Sequence, residues 1–373
     1  MKALGILLAN QSNHNLSELT KIRTLAAVPF GGRYRLIDFP LSNMVNAGMT
    51  HIGIIMDRGY NSLMQHLALG EDWDLNRKTG GLVLLPPFQE SLDTNGWDDH
   101  LRGLIENKYF LINTNEKYVV MSDCSHIENV DLGEAFDFHK KSGADVTVLT
   151  SKVVNPVQGC ETHTYIRVND EDRRVTEVCH GATPPEGTQY FLHTWISQRT
   201  FLIDLIEKAE ESKHPNCIND LLLPYVERGT VTAYEHEGPV LFIDNLSQYL
   251  ESNLALLDGD IRTDLFRTKN RPIFTNTQDS APTKFGKNAV INNAYIAAGC
   301  VIDGHIENSV IFRGAKVEKG AVIQNSVVME GAEIGRNATL NYAVLDKHVT
   351  IHNNRNLSGY ITHPFFCGNR QKI

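Results

Sequence analysis

The sequence predicts an α/β domain with a largely parallel sheet, followed by a β-solenoid. Up to about residue 250, short apolar runs alternate with amphipathic helical segments, which is the pattern of a parallel sheet sandwiched by helices. From about residue 286, large aliphatic residues recur every five or six positions, a spacing that neither a helix nor a simple strand produces. With 373 residues, 42% of them hydrophobic, the chain has enough apolar material for two domains.

The apolar runs of the first part predict strands, and the periodic segments between them predict helices. Predicted strands cover 51–56, 117–122 and 145–150, and predicted helices cover 60–69, 131–143 and 200–211. Gly143 is the expected stop of the second helix, and Thr200 is the expected N-cap of the third. Because ligands of parallel sheets bind outside the carboxyl ends of strands, we expect the site after residues 8, 56 and 122.

The repeat of the second part predicts a solenoid with three flat faces. Its aliphatic residues lie five or six positions apart, so that three steps cover 17 residues; they are Ile311, Val317, Ile323, Val328, Ile334, Leu340, Leu345 and Ile351. Glycine and asparagine fall between them, as expected at the corners of a coil. An irregular β-sandwich is the alternative, but the regular steps favour about four coils between 286 and 355. The segment 258–285, rich in Asp, Thr, Asn and Pro, is the expected linker.

The bulk composition argues against several classes of function. A net charge of −9 and a pI near 5.9 disfavour a general nucleic-acid-binding protein, although a few local cations could still bind a small anion. The six cysteines are far apart, with no C-x-x-C pair, which favours free thiols in a reducing compartment. No apolar run reaches membrane-spanning length, and the N-terminal run is too short for a secretory signal. We therefore expect a cytoplasmic protein without a membrane partner.

Three segments resemble the bacterial glucose-1-phosphate adenylyltransferases (ADP-glucose pyrophosphorylases). The stretch AAVPFGGRYRLIDFPLSNMVNAGM at 26–49 resembles the segment that follows the nucleotide loop of that family. The stretch YVVMSDCSHI at 118–127 resembles the family's strand that ends in G-D-H-I. The stretch IDNLSQYLESNLALL at 243–257 resembles the segment that contains D-V-G-T.

The resemblance implies both a fold and a function. The fold is a Rossmann-like nucleotidyltransferase domain over 1–257, a linker over 258–285 and a left-handed β-helix of hexapeptide repeats over 286–373. The function is synthesis of ADP-glucose from ATP and glucose 1-phosphate with Mg²⁺, for bacterial glycogen. Members of the family are tetramers under allosteric control.

The nucleotide loop departs from the family's pattern. Aligned without a gap, the loop glycines of the family fall on Asn10, Gln11 and Asn13, and the loop arginine falls on Asn15. The lysine of the A-K-P-A motif falls on Leu25. Such glycines let backbone amides approach phosphates, and the cations offset charge in the transition state. We therefore expect this chemistry to be lost.

The metal and sugar positions are altered as well. The aspartate of G-D-H-I, a Mg²⁺ ligand by resemblance, falls on Ser125, whose neutral hydroxyl is a poor substitute for a carboxylate. Asp123 lies two residues upstream, on the same face of a strand but displaced by roughly 6–7 Å along it, too far to take over without rearrangement. Asp244 matches the second metal aspartate of the family. His180 falls on the lysine that binds the phosphate of glucose 1-phosphate there.

Two cations of the family are retained. Arg23 and Arg35 match arginines that help to bind allosteric anions, whereas the family's activator-binding lysine falls on Ile22. The alternative for both arginines is a salt-bridged surface near Asp38. We expect Asp38 to be a structural hydrogen-bonding residue rather than a catalytic base.

These losses predict a catalytically deficient, regulatory subunit that assembles with a catalytic glucose-1-phosphate adenylyltransferase, like the divergent second subunit of Firmicutes-type systems. We expect a hetero-oligomer, a tetramer by analogy, that responds to a phosphorylated effector and requires no cofactor. One alternative is a weakly active nucleotidyltransferase with an altered site, which would need Mg²⁺ at Asp244. A solenoid acyltransferase is a third hypothesis, but His305 and His348, the histidines clearly in the coils, have no recognisable acyl-CoA setting.

Overall fold

The structure, a computed structural model, describes residues 1–10, 14–56, 59–87, 99–152, 163–211, 222–277 and 279–373. The strands of the first part are β1 (Ala3–Ala9), β2 (Pro29–Phe30), β3 (Tyr34–Arg35), β4 (His51–Met56), β5 (Gly81–Leu85), β6 (Tyr118–Asp123), β7 (His126–Ile127), β8 (Val146–Lys152), β9 (His163–Val168), β10 (Val175–Gly181), β11 (Thr188–Gln198), β12 (Val231–His236) and β13 (Leu241–Phe242). The helices are α1 (Ser17–Thr20), α2 (Asp38–Asn46), α3 (Asn61–Leu67), α4 (Asp99–Glu106), α5 (Lys108–Ile112), α6 (Leu132–Ser142), α7 (Arg199–Glu211), α8 (Leu223–Glu227), α9 (Leu246–Ala255) and α10 (Gly259–Phe266).

The central sheet of the first part is parallel around the expected site. β5, β4, β1 and β6 lie side by side in parallel, and β12 is parallel to β8. β11 runs antiparallel to both β6 and β8 and joins the two parallel groups, while β9 and β10 extend the sheet beyond β11. The strands predicted at 51–56, 117–122 and 145–150 are confirmed as β4, β6 and β8.

The predicted helices are confirmed with one correction. α3, α6 and α7 cover the segments predicted to be helical. The Asp131 side chain caps α6 by accepting a hydrogen bond from Glu134 N, and Gly143 ends the helix in the left-handed region at φ 66°. Thr200 is not the N-cap of α7, because β11 runs directly into the helix at Arg199 and Thr200 lies inside the first turn.

The second part is a parallel β-helix with three faces. Its strands are β14 (Lys284–Phe285), β15 (Val290–Ile296), β16 (Val301–Ile302), β17 (His305–Ile311), β18 (Lys316–Val317), β19 (Val322–Gln324), β20 (Val327–Val328), β21 (Glu333–Ile334), β22 (Thr339–Asn341), β23 (Ala343–Leu345), β24 (Thr350–Ile351), β25 (Asn356–Ser358) and β26 (Phe365–Cys367). One face stacks β14, β16, β18, β21 and β24. The other two faces begin with the two halves of β15 and β17, and continue through β19, β22 and β25 on one side and β20, β23 and β26 on the other.

The side chains of the β-helix follow the predicted repeat. Residues of the middle coils pair with partners 17 positions away, as Ile311 does with Val328 and Val328 with Leu345. All eight aliphatic residues predicted to point inward are buried, and asparagines such as Asn308 and Asn325 occupy left-handed corners. The predicted hexapeptide solenoid is therefore confirmed.

One apolar cluster spans both parts of the chain, while the interior of the β-helix forms a cluster of its own. Phe312 of the β-helix belongs to the same buried cluster as Tyr249 of α9 and the core of the first part. The segment predicted as a linker, 258–285, contains α10, whose Phe266 stacks on Tyr34 with ring centroids 4.8 Å apart. The junction is thus a packed interface. None of the helices in the described ranges has the length and apolar composition that a membrane crossing requires.

Candidate functional site

The first side chain after β1 occupies the space where a phosphate loop was expected to begin. Asn10 is 2% exposed, and its Nδ2 donates a hydrogen bond to the Asp99 carbonyl at the start of α4. A Cβ at Gly103 would lie 2.5 Å from Asn10 Nδ2 and 2.5 Å from Ile55 Cγ2. The Asn10 carboxamide therefore fills the gap between the end of β1 and α4, and α4 needs a glycine to accommodate it.

The other altered positions of the family's nucleotide motifs hold uncharged residues. Gln11 and Asn13 lie outside the described residues. Asn15 is exposed in a single 3-10 turn. Leu25, at the position of the family's lysine, is 2% exposed and packs in the apolar core.

At the end of β6, Asp123 and Ser125 form one hydrogen-bonded unit. Ser125 N donates to Asp123 Oδ1 at 3.1 Å, and both carboxylate oxygens lie 2.9 Å from Ser125 Oγ. The expectation that Asp123 lies too far from position 125 is wrong, because β6 ends at Asp123 and the chain bends at the next two residues. A carboxylate thus lies beside the Ser125 side chain, and it is bonded within the chain.

Two histidines surround the same carboxylate. His126 Nδ1 lies 2.8 Å from Ser125 Oγ and 3.7 Å from Asp123 Oδ1, and His193 Nδ1 lies 3.9 Å from Asp123 Oδ2. The two imidazoles stack with centroids 5.4 Å apart. His193 belongs to β11 and is held in the left-handed region at φ 46°, where the pairing of that strand is irregular.

The charges of this cluster are balanced internally. Burial opposes ionisation of Asp123, but His193 and His126 outweigh it and hold the pKa of Asp123 below its ordinary range. Burial would lower the pKa of His126, but the contact with Asp123 raises it, whereas burial lowers the pKa of His193 to about 4. His126 is therefore the main cation of the cluster. Burial also raises the pKa of Glu128 to about 7, and its Oε2 has no hydrogen-bond partner among the described residues.

The region at the carboxyl ends of β1 and β6, with Asn10, Asp123, Ser125 and His126, is called the cleft. The two remaining predicted site residues, Asp244 and His180, have local partners. Asp244 Oδ2 lies 3.4 Å from His163 Nε2, and the Asp244 backbone N–H donates to Gln248 Oε1 at 2.9 Å. His180 Nδ1 lies 3.1 Å from Thr164 Oγ1. In the described ranges, no group of three or more His, Cys, Asp or Glu side chains is arranged to hold a metal ion. In this arrangement the residues do not fit a resident Mg²⁺.

A second candidate site lies at the junction of the two parts. A small open pocket there is lined by Arg33 and Arg35 of the first part and by Arg313 and Lys347 of the β-helix. Glu330 is the one carboxylate among the described residues that line it. The pocket therefore has a clear excess of positive charge.

Arg35 is held at this pocket by its neighbours. Its Nη1 donates to Ser62 Oγ at 2.6 Å and to Ser62 O at 2.9 Å. Asp38 Oδ2 accepts a hydrogen bond from Arg35 N at 2.9 Å and Asp38 Oδ1 lies 2.5 Å from His66 Nε2, so the predicted hydrogen bonding of Asp38 is confirmed, while its non-catalytic role stays a prediction. Burial is the main cause that lowers the pKa of Arg35, and the same holds for Lys347. A bound anion would relieve this cost of burying positive charge.

Arg23, the other arginine predicted to bind an anion, contacts the β-helix instead. Its Nη1 and Nη2 each donate to one carboxylate oxygen of Asp346 at 2.9 Å, and both side chains are almost fully buried. The pair joins residues 323 positions apart in the sequence. The role of Arg23 toward an external anion stays a prediction, but its guanidinium already holds a carboxylate in bidentate geometry.

Known proteins resemble both parts of the chain. Residues 4–237 match the nucleotidyl transferase family, and residues 280–359 match the GlmU-like C-terminal hexapeptide family. The glucose-1-phosphate adenylyltransferase of Mycoplasma mobile is 30% identical over 325 residues, which are 86% of this chain and 84% of that protein. The chain belongs to the glucose-1-phosphate adenylyltransferase family. The glycogen biosynthesis protein GlgD of Bacillus subtilis is 31% identical over 85% of this chain and 81% of its own length. GlgD of Geobacillus stearothermophilus is 34% identical over 86% of this chain and 83% of its own length.

In this member of the glucose-1-phosphate adenylyltransferase family, sequence reasoning missed the contribution of the β-helix to the junction pocket. Arg313, Glu330 and Lys347 lie 17 residues apart, at one corner of three successive coils. The 17-residue repeat was the signal that could have placed them together. The meeting of Asp123 with His193 had no comparable signal, because His193 comes from a distant strand.

Proposed function

We propose that this chain is a catalytically deficient, regulatory subunit that modulates ADP-glucose synthesis for glycogen in complex with a catalytic glucose-1-phosphate adenylyltransferase. The observation that carries the proposal is a contrast between two sites. At the end of β1 Asn10 is bonded to α4, and at the end of β6 Asp123 is bonded to Ser125, whereas four cations and one carboxylate are among the described residues that line the junction pocket. The first arrangement favours a cleft that does not catalyse adenylyl transfer, and the second favours a pocket that binds an anion.

Two positions that carry catalytic groups in the family by resemblance hold uncharged residues here, which supports a site without chemistry. Adenylyl transfer depends on positive charge placed beside the phosphate oxygens on which negative charge develops in the transition state. Asn10, at the first of these positions, is neutral and bonded to α4, and Leu25, at the second, is apolar and packed in the core. The Asp123 carboxylate is already engaged by Ser125 and His126. These contacts support a cleft that is stable without nucleotide and metal.

The junction pocket supports a response to a phosphorylated effector. Arginine suits phosphate because its planar guanidinium can donate two parallel hydrogen bonds. The cations of the pocket come from both parts of the chain, so a bound phosphate would contact the first part and the β-helix together. An effector that prefers one state of the assembly by a few kcal/mol is sufficient for regulation.

The first coil of the β-helix supports assembly with a catalytic partner. Phe285 and Val290 there are each 54% exposed, and Val301 is 45% exposed. β14 and β15 each have a neighbouring strand on one side only within the described part of the chain. Exposed apolar side chains beside an unpaired strand edge are typical of a surface that another chain covers. We propose that the catalytic subunit covers this end.

Titration of the catalytic subunit from the same organism with the purified chain tests the proposal. We expect one larger sedimenting species and a change of about fivefold or more in the effector concentration for half-maximal activity. Phe285→Asp with Val290→Asp should abolish both effects. Tyr360→Asp, 76% exposed and located near the last coil, is the control and should abolish neither. Unchanged activity, effector response and sedimentation with the wild-type chain would contradict the proposal.

A weakly active nucleotidyltransferase is the second candidate, and the position of Asp123 favours it. Its carboxylate lies beside Ser125 Oγ, at the family's metal position, and Asp244 is retained. Incubation of the isolated chain with ATP, Mg²⁺ and glucose 1-phosphate distinguishes the two functions. Steady release of pyrophosphate that Asp244→Ala abolishes would establish the weak enzyme.

A further inference from the structure

We propose that Glu330 is a tethered anion that determines which ligands the junction pocket accepts. The inference rests on the proposed role of that pocket as an effector site. Glu330 is half-buried, and among the described residues it is the single carboxylate that lines the pocket. An acid in a site built from cations weakens anion binding, so its presence there requires a physical account.

Glu330 is the middle member of a column of three charges. Arg313, Glu330 and Lys347 occupy one corner of three successive coils, two residues after Ile311, Val328 and Leu345, which are paired in register. Lys347 Nζ donates to Glu330 Oε2 at 2.9 Å. Because neighbouring strands lie about 4.8 Å apart, Glu330 is within one coil of both cations. Its carboxylate thus occupies a place that an external phosphate oxygen could take.

The negative charge of Glu330 also acts on two other cations of the pocket, Arg35 and Arg313. It partly offsets the lowering of the pKa that burial causes at Arg35 and at Arg313. Burial opposes ionisation of Glu330, but Lys347 is the main group that outweighs it and lowers the pKa of Glu330. The carboxylate therefore remains charged and neutralises part of the pocket when no ligand is bound.

This arrangement selects ligands by charge. Glu330 lowers the positive potential that the four cations present to every anion, and a singly charged anion, which gains least from that potential, then binds too weakly to be retained. A doubly charged phosphate group can compete, because each arginine can bind it through paired hydrogen bonds. The accepted class is therefore phosphate esters with at least two negative charges, and simple monoanions are rejected.

The test compares Glu330→Gln with Glu333→Gln in the full chain. Glu333 also pairs with a lysine 17 residues away, Lys316 at 2.6 Å, but it lies outside the pocket. Binding of inorganic phosphate at pH 8 and of nitrate is measured by calorimetry at constant ionic strength. We expect Glu330→Gln to bind phosphate about tenfold more tightly and to gain measurable nitrate binding. Glu333→Gln should match the wild type.

Arg313→Gln separates failure of this inference from failure of the effector site. If Arg313→Gln weakens phosphate binding while Glu330→Gln leaves the Kd for both anions unchanged, the tethered anion is refuted and the pocket remains an anion site. If neither the wild type nor Glu330→Gln binds phosphate at about 10 mM, the effector site and the inference are both refuted. Glu330→Ala, checked by circular dichroism, replaces Glu330→Gln in every comparison if the latter does not fold.

Discussion

The cleft at the ends of β1 and β6 and the pocket at the junction differ in how their polar groups are satisfied. In the cleft, Asp123 receives hydrogen bonds from Ser125 and faces two histidines, and Asn10 is bonded to the start of α4. In the pocket, four cations share one carboxylate, and burial lowers the pKa of Arg35. The charged and polar groups of the first region are mostly bonded within the chain, with Glu128 Oε2 and Asn10 Oδ1 as exceptions among the described residues, whereas cations outnumber carboxylates among the described residues that line the second.

The proposed loss of catalysis places a physical requirement on the residues that remain at the site. A site that loses its ligand leaves buried polar groups, and these are costly unless other groups of the chain bond them. Replacement of the metal aspartate by Ser125 fits this requirement, because the serine donates to Asp123. The junction pocket was not completed in this way. We take this contrast as the physical basis for a subunit that regulates.

The largest expected effect comes from the pair that joins the two parts of the chain. Arg23→Met leaves the Asp346 carboxylate buried without its partner, which should lower the free energy of unfolding by about 3–5 kcal/mol. Urea unfolding measures the change. Arg336→Gln, which breaks the exposed pair with Glu318 at 3.2 Å, is the control and should cost less than about 1 kcal/mol.

A double variant distinguishes loss of the pair from loss of packing at the same place. Arg23→Met with Asp346→Leu removes both charges, so it should recover much of the stability that the single variant loses. A single variant as stable as the wild type would show that this pair does not hold the junction.

The buried carboxyl beside the cleft gives a pH-dependent effect of about 3 kcal/mol. Glu128 ionises near 4.5 in the unfolded chain and near 7 in the folded one, so the folded state is increasingly penalised as the pH rises from 4.5 to 7. Glu128→Gln removes this penalty, and its stability relative to the wild type should increase by about 3 kcal/mol between pH 4 and pH 8. The exposed Glu18→Gln should follow the wild type at both pH values. A pH-independent difference for Glu128→Gln would refute the internal balance assigned to this cluster.

The packing of Asn10 against α4 predicts a smaller effect. Gly103→Ala places a Cβ 2.5 Å from Asn10 Nδ2, and this overpacking should cost about 1–3 kcal/mol in unfolding free energy. Asn10→Gly on top of Gly103→Ala should restore part of that loss. If Gly103→Ala is neutral in thermal unfolding, the space after β1 is not filled as described.

The smallest expected change in unfolding free energy comes from the N-terminal ends of α6 and α7, which lie outside the cleft and the pocket. Asp131→Ala removes the capping hydrogen bond to Glu134 N in α6 and should cost about 1 kcal/mol. Thr200→Ala lies inside the first turn of α7 and should change stability by less than about 0.5 kcal/mol. Equal losses for the two variants would reinstate Thr200 as a cap.

Most of the fold could be predicted from local patterns in the sequence. The five- or six-residue repeat of the β-helix and the apolar periodicity of the helices both depend on residues that are close together in the chain. The site was harder to predict because its contacts are distant or depend on a bend. Asp123 reaches Ser125 only because the strand ends between them, and strand spacing alone placed it too far away. Arg23 meets Asp346 across 323 positions, which no local motif indicates.

The central claim is that the junction pocket of this chain acts in regulation while its cleft takes no part in catalysis. The direct test is ADP-glucose synthesis by the complex of catalytic subunit and chain, with the chain carrying either Asp244→Asn or Arg313→Gln. We expect Asp244→Asn to leave rate and effector response within about twofold, and Arg313→Gln to shift the half-maximal effector concentration by about fivefold or more. Loss of activity with Asp244→Asn, together with an unchanged response for Arg313→Gln, would contradict the claim.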